Sequence, residues 1–577
     1  MPYLQVSTPR SRPVALADQH AYCCRTRKVK CDEQFPACHR CISTGRVCDG
    51  YGIWGGGGNS YAERYAKSSH SPPEQCTTAV SLPLTNRIST RPPLANASER
   101  AYLDWFSNQT ANKLPGVFGA GFWDTLVLQA AATEPAVLHA VLALSCAHRS
   151  TSSAGVNKAL SSPGGPDKHE QFCLRQYSSA ISGLKPHFIS STKSSIRVAL
   201  IACIIFTCLE FVRGHYQTAK SHLQSGLKLL GQLGEVSRGA QGMECPSLSR
   251  ADQSVDGWLA EQFARLHLQA RLFGQKHEMP QALIVDRNQV QPVSFVSTSH
   301  ARKCLDRLIG EATSLTERYH AERAGSSISL PTPEILEQQS RIQYNLAAWF
   351  RAYEASSSPS GIKRYIESVM GFKILHSYYL VARITLATCL RLDGEMAYDS
   401  HTQDFRAIML NSWQLGEIVF NDAPGTKFAH DPSVPPIVAD MGWITPLYFT
   451  AIKCREREVR LEAIRFLSHG DCKEGIWDAA LAAQVAKQIM VIEEQGPGVD
   501  SEAAPPLASA SKDSQTETGE SKLPPEANRV FDVEVILPEG PTGILGILCK
   551  RRKEEGACET LAMYRDAQSC QWTNGKA

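Results

Sequence analysis

Long apolar runs, a strong net charge, internal repeats and the common catalytic signatures are all missing from this chain of 577 residues. Each absence removes a class of function. The longest apolar stretch, Val198 to Leu209, is closed by Arg197 and Glu210. It falls well short of the roughly 20 residues that cross a bilayer, so it is expected to be a buried helix. The opening MPYLQVSTPRSRPVALADQH holds no apolar run of the about seven residues that a secretory leader needs, which argues against a secreted chain. A formal net charge of only +3 means that any attraction to nucleic acid has to come from a local concentration of Lys and Arg. No period repeats along the chain, which excludes a solenoid of identical units. There is no G-x-G-x-x-G after a strand, no P-loop and no H-E-x-x-H, and Ser225 in HLQSGL lacks a G-x-S-x-G elbow. The chain is therefore not expected to be an enzyme. The 17 histidines are dispersed, and His139 and His148 fall within an apolar helical pattern, where a packed or capping role is expected.

What the sequence does have is a cluster of thiols. Of 19 cysteines, six lie between residues 23 and 48 and the rest are scattered from Cys76 to Cys570. Without a leader, clustered thiols point to a reducing compartment and to metal. Starting at Cys24 the spacing is C-x6-C-x6-C-x2-C-x6-C, formed by Cys24, Cys31, Cys38, Cys41 and Cys48. Around these cysteines lie RTRKVKCDE, a proline two before Cys38, and TGRVCDGY.

This pattern resembles the fungal binuclear zinc cluster family, C-x2-C-x6-C-x6-C-x2-C-x6-C, in which six thiolates hold two zinc ions. Two tetrahedral ions want eight ligand bonds, and six sulfurs supply eight only if two are shared. The departure is at the front: the position three before Cys24 is Ala21. By the family's scheme the missing thiolate is one of the two bridges and Cys38 is the other, so its loss takes a bond from each metal. Three readings follow. Cys23 or His20 substitutes as ligand; or the site is degenerate and holds one zinc or none; or a different exon junction precedes Tyr22, and sequencing that finds HAYCCRTRK in the transcript excludes this. A mononuclear zinc ribbon is the generic alternative.

Between Ala21 and Cys48 stand Arg25, Arg27, Lys28, Lys30, Arg40 and Arg46 against Asp32 and Glu33, a local charge of +4 that exceeds the net charge of the whole chain. Four of these bases fall between Cys24 and Cys31. On a short, metal-fixed helix they would be presented rigidly, as DNA recognition requires. By resemblance, that helix enters the major groove and Lys28 reads guanine edges of a CGG-like triplet. Arg25, Arg27 and Lys30 are assigned to phosphates.

The rest of the chain reads as mostly α. Residues 51–95, with GGGG and several prolines, form a flexible linker without a heptad pattern, so no coiled coil follows the cluster. Helical patterning begins at Asn96, with Asn96 and Glu99 as an N-cap and N3 pair. It continues through AVLHAVLALSCAH, opened by Pro135 in its first turn, and a helix pair joined near Gly214. PLYFTAIKCREREVRLEAIRFLSHG is read as continuous helix. Residues 501–528 have the polar composition of a disordered insert. Val530, Asp532, Glu534 and Ile536 alternate with Phe531, Val533 and Val535 as a single short strand ahead of a basic tail, 529–577. Within that tail KRRK, from Lys550 to Lys553, is read as a solvated patch or an import signal.

ERAYLDWF, FWDTLVLQAAATEPAVLHAVLALSCAH and the stretch from PLYFTAIK to VIEEQG resemble the fungal-specific transcription factor regulatory domain. With a cluster at 20–50 and helices over 96–500, the resemblance implies a nuclear, zinc-dependent, DNA-binding transcription regulator, often of metabolic or secondary-metabolite genes. Co-regulators would meet the helical domain, and any homodimer would form without a coiled coil. The alternative is a regulatory interaction protein whose finger no longer binds DNA.

Overall fold

The computed structural model describes most of residues 96–575, with its wider breaks at 158–167, 240–254, 276–291, 422–436 and 496–522. The cluster at 20–50 and the linker at 51–95 lie outside the described residues, as does the insert up to residue 522. Helices dominate what is described. They are α1 (Ala97–Trp105), α2 (Val127–Thr133), α3 (Pro135–Asn157), α4 (Lys168–Ile189), α5 (Lys193–Arg213), α6 (Tyr216–Gly239) and α7 (Val255–Leu272). There follow α8 (Thr298–Ala324), α9 (Pro333–Ser357), α10 (Ile366–Thr388), α11 (Thr402–Asn421), α12 (Ile444–Lys453), α13 (Arg457–His469) and α14 (Ala479–Gln495).

The N-terminal helices follow their sequence signals closely. The Asn96 side chain accepts the Glu99 N–H at 2.9 Å and so removes one orphan donor of α1. Pro135 opens α3, where its missing N–H costs nothing. α5 is apolar on all sides, long enough and apolar enough by composition alone to cross a membrane, yet almost wholly enclosed by other helices here. It ends at Gly214, whose φ of 79° lets the chain reverse into α6 without a Cβ penalty. His148 is buried beside Thr110, with 2.9 Å between its Nδ1 and the hydroxyl. Burial, reinforced by Lys113, lowers its pKa to about 4.

The C-terminal third departs from the sequence reading. The helix expected across PLYFTAIKCREREVRLEAIRFLSHG is broken at Cys454, where the backbone turns extended. Just past the break Arg455 turns inward and meets the carboxylates of Glu395 and Glu493. Further on, β1 (Ile437–Val438), β2 (Lys473–Glu474) and β3 (Trp477–Asp478) form a small sheet, β1 parallel to β2 and β2 antiparallel to β3. The single strand expected at 530–536 is β4 (Val530–Ile536) of a four-stranded antiparallel sheet with β5 (Leu545–Arg552), β6 (Cys558–Arg565) and β7 (Trp572–Gly575), in the order β4-β5-β6-β7. A register shift between Val530 and Asp532 buries Val530 and Val535 together despite their opposite parity. Residues 523–528, read as part of a disordered insert, are ordered: the Glu526 carboxylate accepts the N–H groups of Glu395 and Met396 at 3.1 Å.

The basic tail is likewise part of this sheet. Lys550 pairs with Asp532 at 3.1 Å, buried Arg551 with Glu559 at 2.6 Å, and Arg552 lies over the Phe531 ring. Cross-strand partners occupy these charges, so the described part of KRRK is not a free solvated run.

One buried ionic cluster ties the sheet to the helices. Glu493 of α14 meets Arg455 at 2.8 Å and Arg460 at 2.6 Å, and it also accepts the Val530 N–H at 2.8 Å. Arg455 continues to Glu395 at 2.9 Å, and Glu395 to Lys453. Burial alone would raise the pKa of Glu493, but the two guanidiniums hold it below the ordinary carboxylate range.

Two predictions follow from this packing. Glu493→Ala leaves Arg455 and Arg460 buried without their shared acceptor and is expected to cost roughly 3–5 kcal/mol, read as a lowered urea midpoint. For His148, the unfolded state binds more protons between pH 6.5 and about 4, so stability falls as pH falls through that window. The loss approaches about 3 kcal/mol, and His148→Asn is expected to flatten that part of the stability–pH profile.

Candidate functional site

The residues expected to bind metal and DNA all precede the described part of the chain. Cys24, Cys31, Cys38, Cys41 and Cys48, the substitute ligands Cys23 and His20, and the basic residues Arg25, Arg27, Lys28 and Lys30 lie outside the described residues. Among the described residues, no group of three or more His, Cys, Asp or Glu side chains is placed to hold a metal ion.

The cysteines of the helical domain behave as packing residues. Nine of them are buried, from Cys146 to Cys549, and Cys558 and Cys570 are exposed. Burial pushes the thiols of Cys173, Cys203 and Cys208 up to about 12, so they stay protonated and are poor ligands and nucleophiles at neutral pH. The histidines singled out in sequence are likewise engaged: His139 Nδ1 lies 2.6 Å from the Gln176 amide oxygen, and His148 faces Thr110.

The charged side chains of the interior are organised for cohesion. Arg302, fully buried in α8, contacts Asp306 at 2.5 Å and Asp440 at 3.3 Å. Asp440 also receives Arg265 of α7 at 2.7 Å, and Arg265 reaches back to Glu261 at 2.7 Å. These contacts pin the segment before α12 to α7 and α8. Glu474 then closes the start of α12, accepting the N–H groups of Gly442, Trp443 and Ile444 at 2.8 to 3.0 Å. Burial lifts its pKa to about 7, against the pull of those three donors. Two small pockets, one beside Leu223, Ala270 and Leu537 and one beside Cys208 and Val438, hold neither a carboxylate nor a histidine. Such a pocket offers no acid and base pair for catalysis.

Sequence reasoning missed these buried charges, since Arg455 and Glu493 look like ordinary solvated helix residues. The signal was available in part: CREREVR carries three bases and two acids in the middle of an otherwise apolar helix pattern.

Comparison with known proteins finds two family models in this chain. The fungal specific transcription factor domain matches residues 101–412, from α1 into α11. The fungal Zn(2)-Cys(6) binuclear cluster domain matches residues 23–53. That segment contains all five spaced cysteines and Cys23, while His20 and Ala21 precede it.

Three curated proteins are similar. The aspercryptin biosynthesis cluster-specific transcription regulator of Emericella nidulans is 35% identical over 228 residues, covering 36% of this chain and 34% of the relative. Transcription regulator lscL of Purpureocillium lilacinum is 30% identical over 216 residues, covering 36% of this chain and 47% of the relative. A transcriptional regulatory protein of Schizosaccharomyces pombe is 43% identical over 61 residues, 11% of each chain. The chain thus spans less than half the length of each of these relatives. No solved structure matches. The family resemblance of the cysteine spacing and of the helical segments is thereby established: this chain belongs to the fungal-specific transcription factor family and carries an N-terminal Zn(2)-Cys(6) cluster domain.

Proposed function

We propose that the chain is a zinc-dependent, sequence-specific DNA-binding regulator that acts in the nucleus on genes transcribed by RNA polymerase II. The observation that carries this reading is the run from Cys24 to Cys48, in which five cysteines at family spacing enclose RTRKVK. The names of the relatives, a biosynthesis cluster-specific regulator among them, support a target within a metabolic or secondary-metabolite gene cluster.

The donor chemistry suits zinc. Thiolates are its preferred structural ligands, and four of the five suffice for one tetrahedral ion. Two ions need more: with Cys38 shared, the five cysteines supply six of the eight bonds, so the remaining two come from a bridging Cys23 or from Cys23 and His20 together. Bound zinc would supply the cross-link that fixes so short a segment. The chain's own residues then do the reading. Lys28 donates to guanine O6 and N7 in the major groove, while Arg25, Arg27 and Lys30 neutralise phosphates and set register. One such module reads few base pairs, so a dimer or a second contact raises specificity. With no heptad after Cys48, that association and the meeting with co-regulators fall to the helical domain. Nuclear import is assigned to the Arg25–Lys30 run, because Lys550, Arg551 and Arg552 are engaged within their sheet.

Ala21 favours a second reading, an interaction protein whose finger holds no complete cluster and binds no DNA. Binding of the full chain to CGG-containing and scrambled duplexes, measured with and without a chelator, separates the two. Under the first reading the chelator abolishes the difference between the duplexes. Lys28→Ala then loses about tenfold of the preference, whereas Lys30→Ala weakens both duplexes alike and lowers the salt slope by about one. Equal effects of the two substitutions on both duplexes contradict this division of roles.

A further inference from the structure

Helices α4 and α6 both pack on the buried helix α5, and they meet at Tyr177 and His222, which mark the seam between them. The tyrosine hydroxyl lies 2.6 Å from His222 Nε2, and both rings pack on Phe206 of α5. Leu174 and Ile181 stand three before and four after Tyr177, so they share its face of α4. Phe188 continues that line one further heptad on. These three are 44%, 46% and 61% exposed. An apolar line of this kind on a long helix is unusual for a face left to solvent. Across the seam, Leu229 of α6 is seven residues beyond His222 and only partly buried against the core.

Along the middle of both helices the charges are basic, and the acids near the seam, Glu170 of α4 and buried Glu210 of α5, are paired with Arg213. From Gln171 to Ile189, α4 contains Arg175 and Lys185 and no acid; from Tyr216 to Leu233, α6 contains Lys220 and Lys228 and no acid. Lys185 is one turn beyond Ile181, and Lys228 adjoins Leu229, so each helix sets a base at the rim of the apolar line. Both are outside every ion pair formed among the described residues.

We infer that the seam between α4 and α6 is the docking surface for an amphipathic helix of a partner protein, with apolar residues at i, i+3 or i+4 and i+7 flanked by Asp and Glu. Charge complementarity selects this occupant. An isologous contact with a second copy would set this basic surface against itself, and like charges across an interface cost several kcal/mol. The apolar line matches the anchors of a helix laid in a groove, and the lysine rims match acidic flanks. The inference rests on the reading that the helical domain meets co-regulators, and it gives that domain a place and a ligand chemistry.

The test uses the full chain and two synthetic peptides with the same Leu and Phe stripe, one flanked by Glu and Asp and the other by Lys, followed by fluorescence anisotropy. The acidic peptide is expected to bind and the basic one not. Leu174→Ser with Ile181→Ser should weaken the acidic peptide about tenfold or more, and Lys185→Glu with Lys228→Glu should exchange the preference. All four side chains are at the surface, so the fold is expected to survive, checked by an unchanged thermal midpoint. Equal binding of both peptides, or binding indifferent to these substitutions, overturns the proposal. So does seam-dependent self-association in sedimentation, which assigns the face to a second copy, or seam-dependent binding to phosphatidylserine vesicles in place of the peptide, which assigns it to a membrane. DNA affinity of the same samples is expected to stay within about twofold, since rim charges act locally at physiological salt. Failure of DNA binding in the unsubstituted chain counts against the proposed function alone, because the peptide readout does not depend on it.

Discussion

The Glu493 carboxylate is the acceptor on which the C-terminal architecture depends. Two guanidiniums and one backbone N–H converge on it, from the turn after α12, from α13 and from the first residue of β4. The polypeptide between these points is long, and 496–522 separates α14 from the sheet unit. A single desolvated anion therefore fixes elements whose sequence positions do not adjoin. Such a cluster is costly to assemble and costlier to break, because removal of the anion leaves cations without solvent. The sheet adds two further carboxylates to the same purpose: Glu526 caps the 3-10 turn at Gly394–His401, and Glu539 accepts the Gln217 N–H at the start of α6 at 2.9 Å. The C-terminal sheet is thus locked into the helical domain by polar groups placed at helix starts.

How much of this was legible in the sequence depends on the range of the interaction. Local rules were read correctly: the Asn96 cap, Pro135 at the start of α3, Gly214 between α5 and α6, and burial of the Val198–Leu209 run all depend on neighbours within a turn or two. The break at Cys454 was not, because the continuous helical periodicity of PLYFTAIKCREREVR conceals an Arg whose partners lie at 395 and 493. The sheet was seen only at β4. Strands β5 and β6 carry Lys, Arg, Cys and Glu, and the alternation of β5 buries Arg551 on the inward side, where it is paired across the sheet with Glu559. KRRK shows the same limit, since Lys550, Arg551 and Arg552 meet Asp532, Glu559 and Phe531, which no linear pattern connects to them.

Function was legible from the other end. Cysteine spacing is a statement about ligand bonds, so residues 24–48 could be interpreted without any fold, and the Zn(2)-Cys(6) match covers the same residues. The helical domain carries no such chemistry. Among the described residues, burial raises thiols such as Cys173, Cys203 and Cys208, and the buried acids Glu493, Asp440 and Glu474 are paired or capping. The basic, apolar seam of α4 and α6 is the surface for which a partner is proposed.

The measurement that tests the central claim most directly is the zinc content of the full chain by native mass spectrometry, taken alongside binding to a CGG-containing duplex. The account predicts bound zinc, two ions per chain where Cys23, alone or with His20, completes the cluster, and loss of both the metal and the duplex preference on Cys38→Ser. A chain that holds no zinc when purified in its presence, or that keeps its duplex preference after Cys38→Ser, would contradict it.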